Sequence, residues 1–186
     1  MSNGTGTFCF DTGTQQWRHA GDWKLPFHGR SGEYLPELET WVGFSPLHPH
    51  HLCSADLTGV AMASSSREGP TIQHVWEDFT PPATVETELV LNRRFPGIVR
   101  RTSLEWTAEQ LHLVRLGSGK LCVVKVFDAE ETVSLSYSFD KYEEDKGTLT
   151  VLVGVELLRG GDGGLRMVKH KTKRLVLHDS SINCVL

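Results

Sequence analysis

The chain has 186 residues, of which 39% are hydrophobic, and carries a formal net charge of -4. This hydrophobic content is enough to bury a core, so it excludes a largely disordered chain, and the length predicts a single domain over residues 1–186. Residues 1–91 carry 4 Lys/Arg against 11 Asp/Glu, and residues 92–186 carry 15 against 12. Neither half has the basic excess of a nucleic-acid-binding protein, and no segment reaches the roughly 18 apolar residues of a membrane helix.

The stretch FCFDTGTQQW at residues 8–17 is typical of a β-hairpin. Phe8 and Phe10 lie two residues apart and therefore share one face of a strand. The carboxylate of Asp11 can accept hydrogen bonds from the backbone that follows it, which favours a turn before the chain returns at Trp17. We expect Trp17 to close a hydrophobic cluster between strands, where its truncation to alanine would cost about 3 to 5 kcal/mol.

Short strands punctuated by turn residues follow as far as residue 79. Residues 33–45 offer two apolar segments on either side of Pro36, and residues 51–57 and 73–79 offer one strand each. Between the last two, residues 58–71 have the Gly/Ser-rich composition of a flexible surface loop.

We interpret residues 85–106, a long segment with four arginines, as either an insertion or an artefact of the gene model. Within it, Thr102 and Glu105 have the Thr-x-x-Glu spacing of a helix capping box, and the apolar residues that follow begin at Trp106. This is the one hint of a helix in the sequence, so we expect little helix in the fold.

From Leu111 onward the β pattern is strong. The turn GSGK at residues 117–120 separates two runs that are apolar at consecutive positions, which predicts a hairpin of interior strands. Residues 133–139 alternate between apolar residues and serine, as in a strand with one wet face. The glycine-rich residues 160–164 predict a second, long hairpin between strands at 148–159 and 165–177. The fold class is therefore all-β, built from antiparallel strands.

The aromatic-Asp strand end, short turn and Trp at residues 8–17 resemble the blade signature of kelch repeats. More specifically, a series of blocks in a fixed order resembles the C-terminal region of kelch-like, F-box-associated-like proteins, a plant family of unknown function that is expanded in grasses. The blocks are GDWKLPFHGRSGEYLPELETWVGFS, LCSADL, VWEDFTPP, LVRLGSGKLCVVKVF and LTVLVGVELLRGGDGGLRMVKHKTKRLVL. The resemblance covers residues 5–186.

The resemblance implies a β-propeller-like fold and a plant origin, and it brings no catalytic residues with it. At about 40 to 50 residues per blade the chain holds about three to four blades, so we expect a partial propeller. A chain of this kind leaves a blade face or edge uncovered. We therefore expect either self-association through that face or a marginally stable monomer that binds a hydrophobic-surface dye. No F-box is recognisable in the sequence, so the resemblance does not extend to a ubiquitin-ligase adapter role.

Two groups of residues have atoms suited to metal or nucleophilic chemistry. His48, His50, His51 and Cys53 supply the imidazole and thiol groups that zinc prefers, but their spacing matches no zinc finger or ribbon, and we expect no metal and no cofactor. The cysteines Cys9, Cys53 and Cys122 lie in apolar strands, where a thiol is poorly reactive. For Cys184 the sequence identifies no base that could activate the thiol. We therefore expect no catalytic, cofactor-binding or metal-binding residues.

The alternating Lys169, Lys171 and Lys173 share one strand face, which is typical of a charged sheet edge that resists aggregation. We expect an intracellular protein, cytoplasmic or nuclear, that is not an enzyme and binds a protein partner through loops, without nucleic acid or membrane. Two alternatives stay open: an enzyme with a pocket at the propeller centre, and a degenerate fragment without a function of its own.

Overall fold

A computed structural model of the protein describes residues 2–3, 6–57, 69–90, 99–136, 141–161 and 163–177. Within these ranges the chain is all-β apart from a three-residue 3₁₀ helix at His28–Arg30, which confirms the predicted fold class. The described part of the chain contains no helix long and apolar enough to span a membrane. Most of the flexible loop that the sequence predicts, residues 58–68, lies outside the described residues, as do residues 91–98 of the predicted insertion.

The twelve strands that the structure describes form three antiparallel sheets, in each of which the strand order follows the chain. The first sheet has β1 (Ser2–Asn3), β2 (Gly6–Asp11) and β3 (Gln16–Gly21). The second has β4 (Gly32–Leu35), β5 (Thr40–Phe44), β6 (Leu52–Ala55) and β7 (Ile72–Trp76). The third has β8 (Val85–Val90), β9 (Val99–Gly117), β10 (Lys120–Leu135), β11 (Lys141–Arg159) and β12 (Leu165–Leu177).

The chain divides into two compact units that are discontinuous in sequence. Unit 1 consists of Met1–Thr80, Arg115–Cys122 and Val155–His170. Unit 2 consists of Pro81–Val114, Val123–Gly154 and Lys171–Leu186. The long strands β9, β10, β11 and β12 therefore each contribute residues to both units.

Unit 1 has a small hydrophobic core around the second sheet. Phe27, Cys53 and Ala55 are buried together, with Trp41 and Ile72 among the partly buried residues that pack against them. The neighbouring positions Leu35, Val42 and Leu52 are also fully buried. The strand segments predicted at 33–45, 51–57 and 73–79 are confirmed as β4 to β7.

In unit 2 the central strand of the third sheet carries most of the buried side chains. Val123, Val124, Val126 and Phe127 follow one another along β10 and are all buried, as the apolar run in the sequence predicts. The same prediction is wrong for β9, because Leu111 and Leu113 are only half-buried. Near the end of that strand, in unit 1, Leu116 is 63% exposed.

Both predicted hairpins of the third sheet are present. The turn between β9 and β10 is made at Ser118 and Gly119, whose positive φ angles of 53° and 74° belong to the left-handed region. The loop between β11 and β12 is closed by a hydrogen bond from the Gly160 amide to the Gly164 carbonyl at 2.7 Å. The capping-box pattern at Thr102 and Glu105 does not begin a helix. Both residues lie inside β9, where pairing of that strand with β8 outweighs a local capping pattern.

Candidate functional site

The hairpin of β2 and β3 presents aromatic side chains on one face. Phe8 lies opposite His19 and Phe10 opposite Trp17, and the ring centroids of each pair are 5.1 Å apart. The pairs occupy one face because residues two apart in a strand point the same way. Phe10 is 46% exposed and Trp17 58% exposed. Two large aromatic side chains therefore stand together in solvent.

The prediction that Trp17 belongs to the core is wrong. Only the base of the hairpin is buried, at Thr7 and Ala20, whereas every residue from Thr12 to His19 is exposed. At this distance from the base, the described residues form no buried layer on either face of the two strands. Trp17 therefore pairs across the hairpin with Phe10 and remains in solvent.

The turn of this hairpin is built as the sequence predicts. The Asp11 carboxylate accepts hydrogen bonds from the amides of Gly13 and Thr14 at 2.9 and 3.0 Å. These two hydrogen bonds lower the pKa of Asp11, and the bond from the Thr14 amide has the larger effect. The charge of Arg18, at 3.8 Å, lowers this pKa further. An anionic, hydrogen-bonded Asp11 fixes the turn and so holds Phe10 and Trp17 opposite each other.

The histidines that the sequence singles out lie on and after the turn that follows β5. The ring of His50 lies 4.0 Å from that of His28 and 5.9 Å from that of His48, measured between centroids. Burial lowers the pKa of His28, and the charge of His50 lowers it further. The described residues contain no group of three or more His, Cys, Asp or Glu side chains placed to hold a metal ion.

His51 has a partner that the sequence analysis missed. Its Nδ1 lies 3.0 Å from Oδ1 of Asp78, which is fully buried and also accepts a hydrogen bond from the Phe79 amide at 2.7 Å. A carboxylate that orients an imidazole is one component of hydrolytic sites. The two residues are 27 positions apart, and no pattern in the sequence connects them.

A serine and a histidine also meet across β6 and β7. The Ser54 hydroxyl lies 3.1 Å from Nδ1 of His74, and the His74 ring stacks on Trp76 with centroids 5.4 Å apart. Ser54 is fully buried, however, so a substrate has no access to its hydroxyl. This hydrogen bond satisfies a polar side chain in the interior.

Two of the described cysteines, Cys53 and Cys122, are in the poorly reactive surroundings that the sequence predicts. Cys53 is fully buried, and burial raises the pKa of its thiol to about 12. Burial also raises the pKa of the Cys122 thiol. Cys9 is partly exposed in the aromatic hairpin, and Cys184 lies outside the described residues.

Unit 2 contains an open cavity of about 390 Å³, lined by residues that are all polar or charged. Its residues come from β8, β9 and β10, and are Glu86, Thr87, Glu88, Arg101, Thr102, Ser103, Thr132 and Ser134. Register places Glu86 opposite Ser103 and Glu88 opposite Arg101, and Glu88 and Arg101 form an ion pair at 3.3 Å. The Thr87 and Thr102 hydroxyls bond to each other.

A second residue that the sequence analysis missed is Lys125. Its side chain is fully buried in β10, where Val124 and Val126 flank it in the sequence. In the sequence it appears as a single interruption of an apolar run, which does not distinguish a buried lysine from an exposed one. Burying an ammonium group is costly unless it is compensated by polar or charged neighbours.

Comparison with known proteins identifies one family. The family model described as "Protein of unknown function (DUF1668)" matches residues 1–175. No curated protein matches the chain. No solved structure matches it either.

Proposed function

The chain belongs to the family of proteins of unknown function DUF1668, and on this premise we propose that it is a non-catalytic protein-interaction module whose main contact surface is the β2–β3 hairpin. The observation that carries the proposal is the exposed pair of Phe10 and Trp17. Tryptophan and other aromatic residues are enriched in protein interfaces, where they dominate the binding energy. A soluble partner that covers the pair would remove its apolar surface from water.

The shape of the hairpin supports a protein partner over a small ligand. Small-molecule sites are concave and enclose most of the ligand. Phe10 and Trp17 instead lie on an exposed strand pair, and the charged Arg18 and Asp11 lie on the opposite face. The hairpin thus offers one aromatic face that a flat protein surface could cover, whereas its charged residues lie on the other face.

An enzyme is the alternative, and the His51–Asp78 pair is the observation that favours it. A base oriented by a carboxylate needs a nucleophile or an activated water within reach. Within the described residues, no serine or cysteine side chain is hydrogen-bonded to His51. The described cavity, in turn, is open and lined by polar side chains, without the deep apolar walls of most substrate pockets.

We also propose that the chain is a plant protein of the kelch-like, F-box-associated-like kind, that it forms part of a propeller, and that it is located inside the cell. The sheet of β4 to β7 supports this proposal, because propeller blades are four-stranded antiparallel sheets whose strands follow one another along the chain. The third sheet is less like a blade, since β9 and β11 each have 19 residues. Strands in globular proteins usually have about 3 to 10 residues.

The test is affinity purification from plant cell extract, followed by mass spectrometry of the bound proteins. The bait proteins are the wild type, the double variant Phe10→Ser/Trp17→Ser, and the control Leu47→Ser, which changes an exposed apolar residue of unit 1 outside the hairpin. We expect the wild type and the control to retain the same partners and the double variant to lose them. An unchanged set of partners on the double variant would contradict the proposal.

A further inference from the structure

The third sheet ends in two edge strands of opposite charge. Among the strands that the structure describes, β8 lies at one edge and β12 at the other. All six residues of β8 are exposed, including Val85, Leu89 and Val90 at 52%, 56% and 67%. An exposed edge strand with apolar side chains is a template for pairing with another strand.

The acidic residues of β8 disfavour pairing with its own copy. Glu86 and Glu88 are two residues apart and so share one face of the strand. Two copies of β8 that pair antiparallel about Thr87 place Glu86 of each copy opposite Glu88 of the other. Like charges directly opposite each other destabilise a strand pair, so β8 selects a partner strand with the opposite charge.

The strand β12 has that charge. Lys171 and Lys173 share one face, and both are exposed. The lysines lie on an edge strand, as the sequence predicts, and they disfavour pairing of β12 with its own copy in the same way. Lys171, Lys173 and the whole of β8 belong to unit 2.

We propose that β8 of one molecule pairs antiparallel with β12 of a second copy of this chain. One register places Glu86 opposite Lys173 and Glu88 opposite Lys171. The same register places Thr87 opposite Thr172, and threonine pairs also stabilise adjacent strands. The charges that disfavour pairing of each edge strand with its own copy thus favour pairing between β8 and β12.

This interface is small, and it joins a different edge of each molecule. It involves the six residues of β8, so it falls in the size class of weak contacts, below about 1,200 Å². Its ion pairs are exposed and therefore screened by salt. Because each molecule contributes a different edge, the contact is head-to-tail and generates either closed rings or open chains of molecules. The association is weak, reversible and dependent on ionic strength.

Sedimentation velocity over protein concentrations of about 0.01 to 1 mM tests the proposal. We expect the wild type to form dimers and longer species at low salt, and the association constant to fall about tenfold or more between about 0.05 M and about 0.5 M salt. The variant Glu86→Lys/Glu88→Lys has two basic edges and Lys171→Glu/Lys173→Glu has two acidic edges, so each alone should be monomeric. A mixture of the two should associate again, because each basic edge then meets an acidic one.

The recovery of association in the mixture also shows that the variants are folded. The control is Glu105→Lys/Glu109→Lys, which changes two exposed glutamates of β9, a strand inside the sheet. On its own, this control should associate like the wild type. Mixed with Lys171→Glu/Lys173→Glu, it should give no more association than a mixture of that variant with the wild type. The proposal would be overturned by a wild type that stays monomeric at all concentrations. It would also be overturned if each charge-reversal variant, tested alone, associated as strongly as the wild type.

Discussion

The carboxylate of Glu37, in the turn between β4 and β5, accepts a hydrogen bond from the amide of Gly119, in the turn between β9 and β10, at 2.7 Å. The Arg115 guanidinium bonds to the same carboxylate at 2.9 Å. Gly119 and Glu37 are 82 positions apart in the sequence and both belong to unit 1. One ionised side chain thus joins two hairpin turns.

This carboxylate should make stability dependent on pH. Hydrogen bonds from the amides of Glu37 itself and of Gly119, together with the charge of Arg115, hold the pKa of Glu37 below its ordinary value of 4.5. The group ionises more readily in the folded chain than in the unfolded chain, so its contribution is complete above pH 4.5 and is lost as the pH falls through the lower folded value.

Glu37→Gln should therefore lower the melting temperature at neutral pH, and the difference from wild type should shrink as the pH falls below 4.5. Calorimetric melts over that pH range provide the measurement. Glu39→Gln, which changes an exposed glutamate of the same turn, is the control and should leave the melting temperature unchanged. A Glu37→Gln difference that is constant with pH would contradict the role of the charge.

Gly119 and Gly117 form a matched pair for a test of close packing. Both have positive φ angles, 74° and 90°, so alanine strains the backbone at either position by about 1 to 3 kcal/mol. A Cβ on Gly119 would also lie 2.5 Å from the Leu157 carbonyl oxygen, whereas one on Gly117 would meet no atom within 4 Å. In urea melts, Gly119→Ala should be less stable than Gly117→Ala by about 1 kcal/mol or more. Equal losses would mean that the turn moves away from Leu157 without cost.

Truncation of Trp17 should have little effect on stability. Its ring contacts Phe10 across the hairpin and is otherwise exposed, so Trp17→Ala should lower the free energy of unfolding by less than about 1 kcal/mol. Phe27→Ala, which removes a core residue that is 3% exposed, should cost about 3 to 5 kcal/mol. Urea melts compare the two variants. A loss for Trp17→Ala as large as that for Phe27→Ala would show that Trp17 is buried.

Asp78 should contribute to stability through its hydrogen bonds with His51 and with the Phe79 amide. Asp78→Ala leaves the His51 Nδ1 and the Phe79 amide without this acceptor, and the loss should be about 1 to 3 kcal/mol. Asp78→Asn keeps one acceptor oxygen and should therefore lose less unfolding free energy than Asp78→Ala. The neighbouring Glu77→Ala, at an exposed position, should change the unfolding free energy by less than about 0.5 kcal/mol. If the alanine variant at 78 is as stable as that at 77, these hydrogen bonds do not stabilise the fold.

Cys53 should be protected from alkylation in the folded protein. It is fully buried, and at pH 8 a thiol with a pKa of about 12 is almost wholly protonated. Peptide mapping after treatment with iodoacetamide should therefore find Cys9, which is partly exposed, modified well before Cys53. After unfolding in urea, the two should react at similar rates. Rapid native alkylation of Cys53 would show that β6 is not in the core.

The turns were the most predictable part of the fold because their chemistry is local. Asp11 accepts hydrogen bonds from amides two and three residues later, and the glycines around residues 117–120 and 160–164 allow positive φ angles wherever the chain reverses. These signals locate hairpins without reference to the rest of the molecule. The strands between the turns then follow from alternation and apolar runs.

Burial and side-chain partners were much less predictable. Whether Trp17 is covered depends on what lies beside the hairpin, and that information is absent from the ten residues that predict it. In β9, the capping pattern at Thr102 is local, whereas the pairing of β9 with β8 is not. The meeting of His51 with Asp78 depends on the strands β6 and β7 that lie between them in the chain, so it appears only once their pairing is known.

The division of the chain into units has a consequence for limited proteolysis and for gene truncation. The backbone passes from one unit to the other five times, after Thr80, Val114, Cys122, Gly154 and His170. The crossings after Val114, Cys122, Gly154 and His170 lie inside strands, whose amides are paired and poorly accessible to a protease. Neither unit can be excised as a single fragment, so cleavage at an exposed loop should leave a nicked protein whose pieces remain associated. A deletion from the C-terminus that extends past Lys171 should remove parts of both units at once.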